Sequence, residues 1–139
     1  MTSQDGQASN QVVTGTVLIR GHHAYVLFDP GATHSFVSRQ FTPSLGMDAV
    51  PLDEPMYVGT PVGDSLRVDR VYRASTVSIM GRDTLADLVL LGPMEFDAIL
   101  GMDWLALCHA SLDCRQKRVC FDFPGEEHFL RSGRVSPMD

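Results

Sequence analysis

Residues 26–37 read Val-Leu-Phe-Asp-Pro-Gly-Ala-Thr-His-Ser-Phe-Val, and this stretch decides the interpretation of the whole chain. An apolar strand leads directly into the acidic Asp29, and a Pro-Gly turn and small or hydroxylated residues follow. A strand that ends in so tight a turn holds one carboxylate in a fixed, partly dry position. Taken alone, the pattern also fits an Asp that is only a turn former. If Asp29 is functional, it works either alone or as half of a pair.

The length and composition are those of one globular domain. The chain has 139 residues, 44% of them hydrophobic and 20% charged, which is too apolar for a disordered chain. The net charge of -6 argues against a general nucleic-acid or anionic-membrane binder, because both need a basic surface. No apolar run approaches the roughly 20 residues that span a bilayer, and the polar first residues do not resemble a signal peptide. We therefore expect a cytoplasmic protein with no membrane and no direct nucleic-acid partner.

The three cysteines predict free thiols. The number of cysteines, Cys108, Cys114 and Cys120, is odd, so they cannot all be paired within one chain. The chain is also long enough to make its own core without disulfides. Their six-residue spacing differs from the short Cys-x-x-Cys or His-x-x-x-His pairs that bind one metal ion. Buried thiols are the default interpretation, and we expect no metal ion and no cofactor.

Alternating apolar residues and frequent turns predict a chain made mostly of strands. The interpretation assigns flexible tails to 1–11 and 131–139 and one domain to 12–130. Strands are predicted at 13–19, 24–28, 56–59, 66–80, 85–91, 96–101, 110–114 and 118–123. Between them we predict turns at 21–23 and 60–64, a short helix or irregular turn at 35–45, a loop or edge at 47–56 and a helix at 102–108. This succession predicts an all-β fold, a small closed barrel that is mostly antiparallel and has one or two short helices.

Two blocks of the sequence resemble the proteases of Gypsy-type LTR retrotransposons, particularly those of plants. Residues 27–38 resemble their active-site block, which carries an Asp-[Ser/Thr]-Gly-Ala loop. Residues 97–105, Asp-Ala-Ile-Leu-Gly-Met-Asp-Trp-Leu, resemble their second block, and 110–114 and 117–124 match the stretch that follows. The resemblance covers residues 12–130, with both blocks in order and at the proper spacing. It implies a retropepsin-like aspartic protease domain that processes a retroelement Gag-Pol polyprotein in a cytoplasmic particle.

The implied reaction, peptide hydrolysis, needs a water molecule held between two carboxyl groups. One carboxylate acts as base on the water, while the other, protonated, donates to the scissile carbonyl oxygen. Two carboxyls that share a site hold one proton, because both cannot ionise. The chain has one Asp-x-Gly element, so the second carboxylate has to come from Asp29 of another copy. A two-fold homodimer with the site on its axis follows.

Further roles follow from the resemblance alone. In the active-site loop, Gly31 lets the backbone approach the substrate, and Ala32 and Thr33 contact the substrate backbone. The hairpin at 58–68 is the flap that closes over the bound peptide and excludes water. Its substrate-binding residues are Val58, Gly59, Thr60, Pro61, Val62 and Gly63. The loop is supported from beneath by Ile99, Leu100 and Gly101, and the substrate binds as an extended strand.

Two positions depart from the family pattern. Pro30 stands where the family usually has Ser or Thr, whose hydroxyl hydrogen-bonds across the dimer axis, and proline has neither a hydroxyl nor an N–H. Its fixed φ offers another way to hold the loop. The favoured interpretation is a working enzyme, and the alternative is a weak or inactive dimerisation or peptide-binding module. Met102 stands where retroviral relatives often have Arg, which predicts dimer contacts of a different kind.

The remaining polar residues receive structural interpretations. Asp103 is predicted to be a cap or partner at the start of the short helix, His22 and His23 to be turn residues, and His34 to be an exposed spacer. Trp104 is assigned to packing, and Asp97 and Asp113 to structural roles. A third hypothesis, a protease domain of the DNA-damage-inducible type, fits the sequence at 101–104 less well than a retrotransposon protease does.

Overall fold

The computed structural model describes residues 13–59, 63–113, 115–123 and 126–131. Its elements in chain order are β1 (Val13–Ile19), β2 (His22–Phe28), β3 (Ser35–Ser38), the 3-10 helix η1 (Arg39–Leu45), β4 (Val50–Gly59), β5 (Ser65–Ile79), β6 (Arg82–Gly92), β7 (Ala98–Leu100), α1 (Met102–Leu107), β8 (Ala110–Asp113), β9 (Arg118–Phe123) and β10 (Glu126–Arg131). Among these residues, no helix is long and apolar enough to cross a membrane.

The first hairpin shows how alternation in the sequence becomes one wall of the barrel. β1 and β2 pair antiparallel along their full length, and every second residue of β1 is buried, as the pattern predicts. The connecting turn consists of Arg20 and Gly21, both with positive φ, which suits the twist of a hairpin. His22 and His23 lie in β2 with exposed side chains, so the prediction that they are turn residues was wrong. Because the turn consists of only two residues, His22 and His23 remain part of β2 and pair with β1.

The strands close into a barrel. Neighbouring strands follow the order β1-β2-β7-β3-β6-β5-β4, and β1 pairs additionally with β5. This additional pairing joins the two sides of the sheet, so β4 alone remains outside the ring, on the edge of β5. The pairs β2–β7 and β3–β6 are parallel, and the other pairs of this sheet are antiparallel. The predicted small, closed and mostly antiparallel barrel is confirmed.

The stretch 35–45 differs from the predicted helix or irregular turn. Ser35–Ser38 forms β3, and all four residues are buried between β6 and β7. The 3-10 helix η1 begins only at Arg39 and contains Pro43. It ends at Gly46, whose φ of 65° is the usual termination of a helix by glycine. Because β3 pairs with β6 on one side and β7 on the other, it forms a strand. The local sequence pattern could not show these distant partners.

β4 was predicted as a strand only over 56–59, and β10 was not predicted. β4 begins at Val50, inside the stretch 47–56 predicted as loop or edge, and its prolines fit an edge strand, where some N–H groups need no partner. β10 begins at Glu126, after the last predicted strand at 118–123, and pairs with β9, so β8, β9 and β10 form a three-stranded sheet. Apart from Arg131, which ends β10, the predicted tails lie outside the described residues.

Three aromatic rings in contact join α1 and the second sheet to the barrel. Trp104 of α1 packs against Phe28 of β2 at a ring-centroid distance of 6.0 Å and edge-on against Phe121 of β9 at 5.9 Å. All three side chains are fully buried. The indole N–H of Trp104 donates to the hydroxyl of Thr84 at 2.8 Å, so its polar atom is satisfied. The strand that leads to Asp29 is therefore packed firmly against α1, the helix that begins within the second block.

The described cysteines are free thiols, as predicted. Cys108 is buried and Cys120 is partly buried, whereas Cys114 lies outside the described residues. Burial raises the pKa of the Cys108 thiol, and a hydrogen bond with Thr84 lowers it by less. Cys108 is therefore a packing residue with a protonated thiol.

We predict that Leu88→Ala lowers the free energy of unfolding by about 2–5 kcal/mol, because it opens a cavity in the barrel core. Leu88 is fully buried on β6, whereas Leu85, on the same strand, is 54% exposed. Leu85→Ala is the matched control, and we expect it to change the same free energy by less than about 1 kcal/mol. Urea denaturation measures both variants, and equal losses would contradict this placement of the core.

Candidate active site

Asp29 follows β2 and opens a tight turn, Asp29–Ala32, which we call the active-site turn. The Asp29 N–H donates to the carbonyl oxygen of Leu100 at 3.0 Å, and its own carbonyl oxygen accepts from the N–H of Ala32 at 3.1 Å. Its side-chain Oδ1 accepts from the N–H of Gly31 at 2.9 Å. The residue is partly buried. One carboxylate oxygen is thus anchored by the turn itself, which leaves Oδ2 for another partner.

Pro30 occupies the second position of this turn. The bond between Ala32 and Asp29 closes a four-residue β-turn, in which the fixed φ of proline is favoured at that position. No N–H is required there, because the turn uses those of Gly31 and Ala32. A Cβ at Gly31 would lie 3.2 Å from Oδ1 of Asp29, so glycine keeps the space beside the carboxylate open. Proline and glycine therefore each suit the position that they occupy.

β7 places two of the predicted supporting residues between the strands on either side of the active-site turn. It pairs parallel with the end of β2 and antiparallel with β3, where Ile99 lies opposite Phe36. Leu100 is fully buried, and Ile99 is partly buried. The second block of the sequence thus lies directly beneath the first, although about 70 residues separate them along the chain.

Gly101 passes beneath the active-site turn at a distance that only glycine allows. A Cβ there would lie 2.6 Å from the carbonyl oxygen of Ala32 and closer still to that of His34. Real Cβ atoms essentially never approach so closely, and both obstacles are backbone atoms that cannot rotate away. Directly after this crossing, the N–H of Met102 donates to the carbonyl oxygen of Ala32 at 2.7 Å. The two chain segments are therefore bound to each other through their backbones.

A buried hydroxyl that the sequence analysis missed connects the two blocks. The side chain of Ser35 is 0% exposed, accepts from the N–H of Gly101 at 3.0 Å and donates to Oδ1 of Asp103 at 2.7 Å. The same Asp103 oxygen accepts from the N–H of Trp104 at 2.7 Å, so Asp103 is a partner at the start of α1, as predicted. The available signal was Ser35 itself, because a polar residue that opens a buried strand needs a hydrogen-bond partner.

The hairpin of β4 and β5 lies over an apolar floor beside the turn. Val58 pairs with Leu66 and Gly59 with Ser65, and Gly63 has a φ of 97°. The remaining predicted flap residues, Thr60, Pro61 and Val62, lie outside the described residues. A buried cluster joins β5 of the hairpin to β3 and β6, and partly buried residues of the hairpin, the active-site turn and β7 pack against it. The cluster consists of Phe36, Val68, Val71 and Val89, and the residues against it include Met56, Val58, Ala32 and Ile99.

The other polar residues singled out in the sequence lie at the periphery. Thr33 and His34 are exposed, and the Thr33 hydroxyl lies 2.9 Å from Nδ1 of His34. Asp97 is structural, because its carboxylate accepts from the N–H of Tyr25 at 2.8 Å. Asp113 accepts from the N–H of Gln116 at 3.2 Å. Within the described ranges, no three His, Cys, Asp or Glu side chains are grouped so that they could hold a metal ion.

Comparisons with known proteins agree with this architecture. The fold is that of the retropepsin-like proteases, as two solved structures show. The retroviral protease-like domain of Ddi1 from Leishmania major has a TM-score of 0.62 at 17% identity, over 86% of this chain and 94% of that chain. EIAV protease, solved with the inhibitor HBY-793, has a TM-score of 0.57 at 23% identity, over 72% of this chain and 90% of that chain.

The family is established by sequence. The family profile described as retroviral aspartyl protease matches residues 1–127, and the chain therefore belongs to the retroviral aspartyl protease family. A search of curated proteins finds no match.

We predict that Gly101→Ala lowers the free energy of unfolding by about 1–3 kcal/mol or more, because the new methyl group overlaps the carbonyl groups above it. Gly59→Ala is the control, since a Cβ at Gly59 meets no atom within 4 Å and its φ is not positive. We expect the control to leave this free energy unchanged within about 0.5 kcal/mol. Chemical denaturation measures both, and a Gly101→Ala variant as stable as the parent would show that the two segments are not in contact.

Proposed function

We propose that this chain is an aspartic endopeptidase whose site is completed by Asp29 of a second copy. The observation that carries the proposal is the geometry of the active-site turn. Oδ1 of Asp29 is held at 2.9 Å by the N–H of Gly31, and Oδ2 is left for a water molecule or a facing carboxyl. A carboxylate fixed in this way, at the end of a buried strand, is what general acid–base catalysis requires.

The second carboxyl has to come from another molecule, because the nearby acidic side chains are already engaged. Asp103 is bound to Ser35 and to the N–H of Trp104. Asp97 is bound to the N–H of Tyr25 on the outer side of β2. A two-fold dimer brings the active-site turns of two copies together, so that their two Asp29 side chains form the pair of carboxyl groups.

The chemistry of such a pair requires no cofactor. One carboxylate takes a proton from the bound water, and the protonated carboxyl of the other copy donates to the carbonyl oxygen of the peptide bond. The Gly31 N–H keeps Oδ1 in place throughout. The β4–β5 hairpin, with Val58 above the apolar floor, provides a cover that excludes bulk water from the reacting groups. The extended substrate binds across the active-site turn, beneath the tip of the hairpin.

The natural substrate proposed for this activity is the polyprotein of a retroelement. The support is the resemblance of residues 27–38 and 97–105 to Gypsy-type retrotransposon proteases, particularly those of plants. In that setting the chain is a domain of a Gag-Pol polyprotein and acts as a homodimer in a cytoplasmic particle.

The second candidate function is a dimerisation or peptide-binding module with little catalysis. The observation that favours it is Pro30, which brings neither a hydroxyl nor an N–H to the place where the two turns would meet. The likeness to the Ddi1 domain concerns the fold alone and does not separate the two candidates.

We predict that Asp29→Asn lowers the rate of cleavage of a denatured protein substrate at acidic pH by at least about a hundredfold, because the amide cannot act as base. The matched control is Asp48→Asn, an exposed carboxylate outside the site, which is expected to retain the parent rate. A pepstatin-type inhibitor should lower the cleavage rate of the parent chain in the same way as the Asp29→Asn substitution does. Cleavage unaffected by Asp29→Asn rules out the proposed mechanism, and a parent chain that binds peptides but cleaves none at any pH or concentration favours the binding module.

We predict that Pro30→Ser tightens the dimer, since a hydroxyl restores a hydrogen bond across the axis worth about 1 kcal/mol per bond. Sedimentation equilibrium should give a dissociation constant several-fold lower than that of the parent chain. The Pro30→Ala variant, which lacks both the ring and the hydroxyl, is the control and should not gain affinity. Equal or weaker association of Pro30→Ser would refute a contact between the two turns at this position.

A further inference from the structure

A pocket lies away from the active-site turn, where β5 and β6 separate. The two strands pair from Ile79 opposite Arg82 as far as Val71 opposite Val89. Past this pair, β5 continues beside β4 in the hairpin, whereas β6 continues beside β3 in the barrel. The space between them has a volume of about 290 Å³. It is lined by residues 66–70, residues 90–93 and Arg39.

Consecutive residues of both strands line this pocket. Because neighbouring side chains of a strand point to opposite faces, a pocket on one face of a sheet would be lined by alternate residues. A lining made of the successive residues 66–70 and 90–93 places the pocket between the two strand edges, in the plane of the sheet. We call it the β5–β6 slot. Strand edges that face each other without pairing present backbone N–H and C=O groups to a ligand.

The charge of the slot is opposite to that of the chain. Its lining has three arginines and one carboxylate, whereas the whole chain has a net charge of -6. Arg67 is paired with Asp69 at 2.7 Å. Among the described residues, the guanidinium groups of Arg39 and Arg70 make no ion pair and no hydrogen bond. Two cations, one on each side of the slot, are therefore available to an incoming anion.

We propose that the β5–β6 slot binds an extended segment of a partner protein in which acidic and apolar side chains alternate. The strand edges would pair with the backbone of this segment, as in the addition of a strand to a sheet. Arg39 and Arg70 would bind its carboxylates, for which the planar guanidinium group is suited. The rest of the lining is apolar and fits the alternate side chains; it includes Leu66, Val68, Leu90, Leu91 and Pro93.

The slot opens away from the active-site turn, although Leu66, Arg67 and Val68 belong both to its lining and to the β4–β5 hairpin. None of its lining residues belongs to the active-site turn or to β7. An inorganic anion would use the arginines but neither the strand edges nor the apolar lining, so the observations favour a peptide over a free ion. Binding at this slot does not depend on the pairing of two Asp29 side chains, and its test is designed to be independent of proteolysis.

The test measures binding of a fluorescently labelled hexapeptide, in which Glu alternates with Val, by fluorescence anisotropy. The full-length chain carries Asp29→Asn, so that cleavage or its absence has no bearing on the result. We expect saturable binding that weakens as salt is added. In the double variant Arg39→Gln/Arg70→Gln, the dissociation constant should rise about tenfold. The control Arg73→Gln/Arg115→Gln, which removes the same charge from outside the slot, should bind as the parent does.

Two further peptides separate strand recognition from simple charge attraction. A hexapeptide with Lys in place of Glu should not bind, and a Glu-Val hexapeptide with alternate N-methyl groups should lose affinity, because it cannot pair with a strand edge. The proposal is overturned if the Lys peptide or the N-methylated peptide binds equally well, or if the two double variants bind alike.

Discussion

The passage of Gly101 beneath the carbonyl groups of Ala32 and His34 is the contact on which the rest of the site depends. Because no Cβ separates the two segments, β7 can end directly under the active-site turn. The backbone N–H of Asp29 then reaches Leu100, and that of Met102 reaches Ala32. A turn that would otherwise be a surface loop becomes part of the barrel wall, and the carboxylate that it carries acquires a fixed position.

Two independent sets of interactions hold this turn. The local set consists of the hydrogen bonds from Gly31 and Ala32 back to Asp29, which require no side chain at the second position and so accommodate Pro30. The non-local set consists of β7 and the buried hydroxyl of Ser35, which bonds to the Gly101 N–H and to Asp103. The absence of a Ser or Thr hydroxyl at position 30 therefore leaves the turn intact.

Local patterns predicted the elements whose partners are close in the chain or whose periodicity is strong. The first hairpin, the long strand β5 and helix α1 belong to this group, since alternation, glycine turns and a short apolar helical run are properties of single segments. The two strands that the sequence did not predict, β3 and β10, were missed for the same reason. β3 is a strand because β6 and β7 flank it, and β10 is a strand because β9 lies beside it. A segment of four or six residues is too short for its own pattern to show which strands lie beside it.

The sequence by itself determined the class of this protein, the place of Asp29 in a tight turn after a strand, and the order of its two blocks. These follow from residue types at fixed spacing, because Asp, Pro and Gly impose a turn wherever they stand together after a strand. Only the tertiary structure decided that Ser35 and Asp103 bind each other and that β5 and β6 separate beyond Val71 and Val89. Both features arise from segments far apart in the chain. Their meeting is set by closure of the barrel, which no single segment encodes.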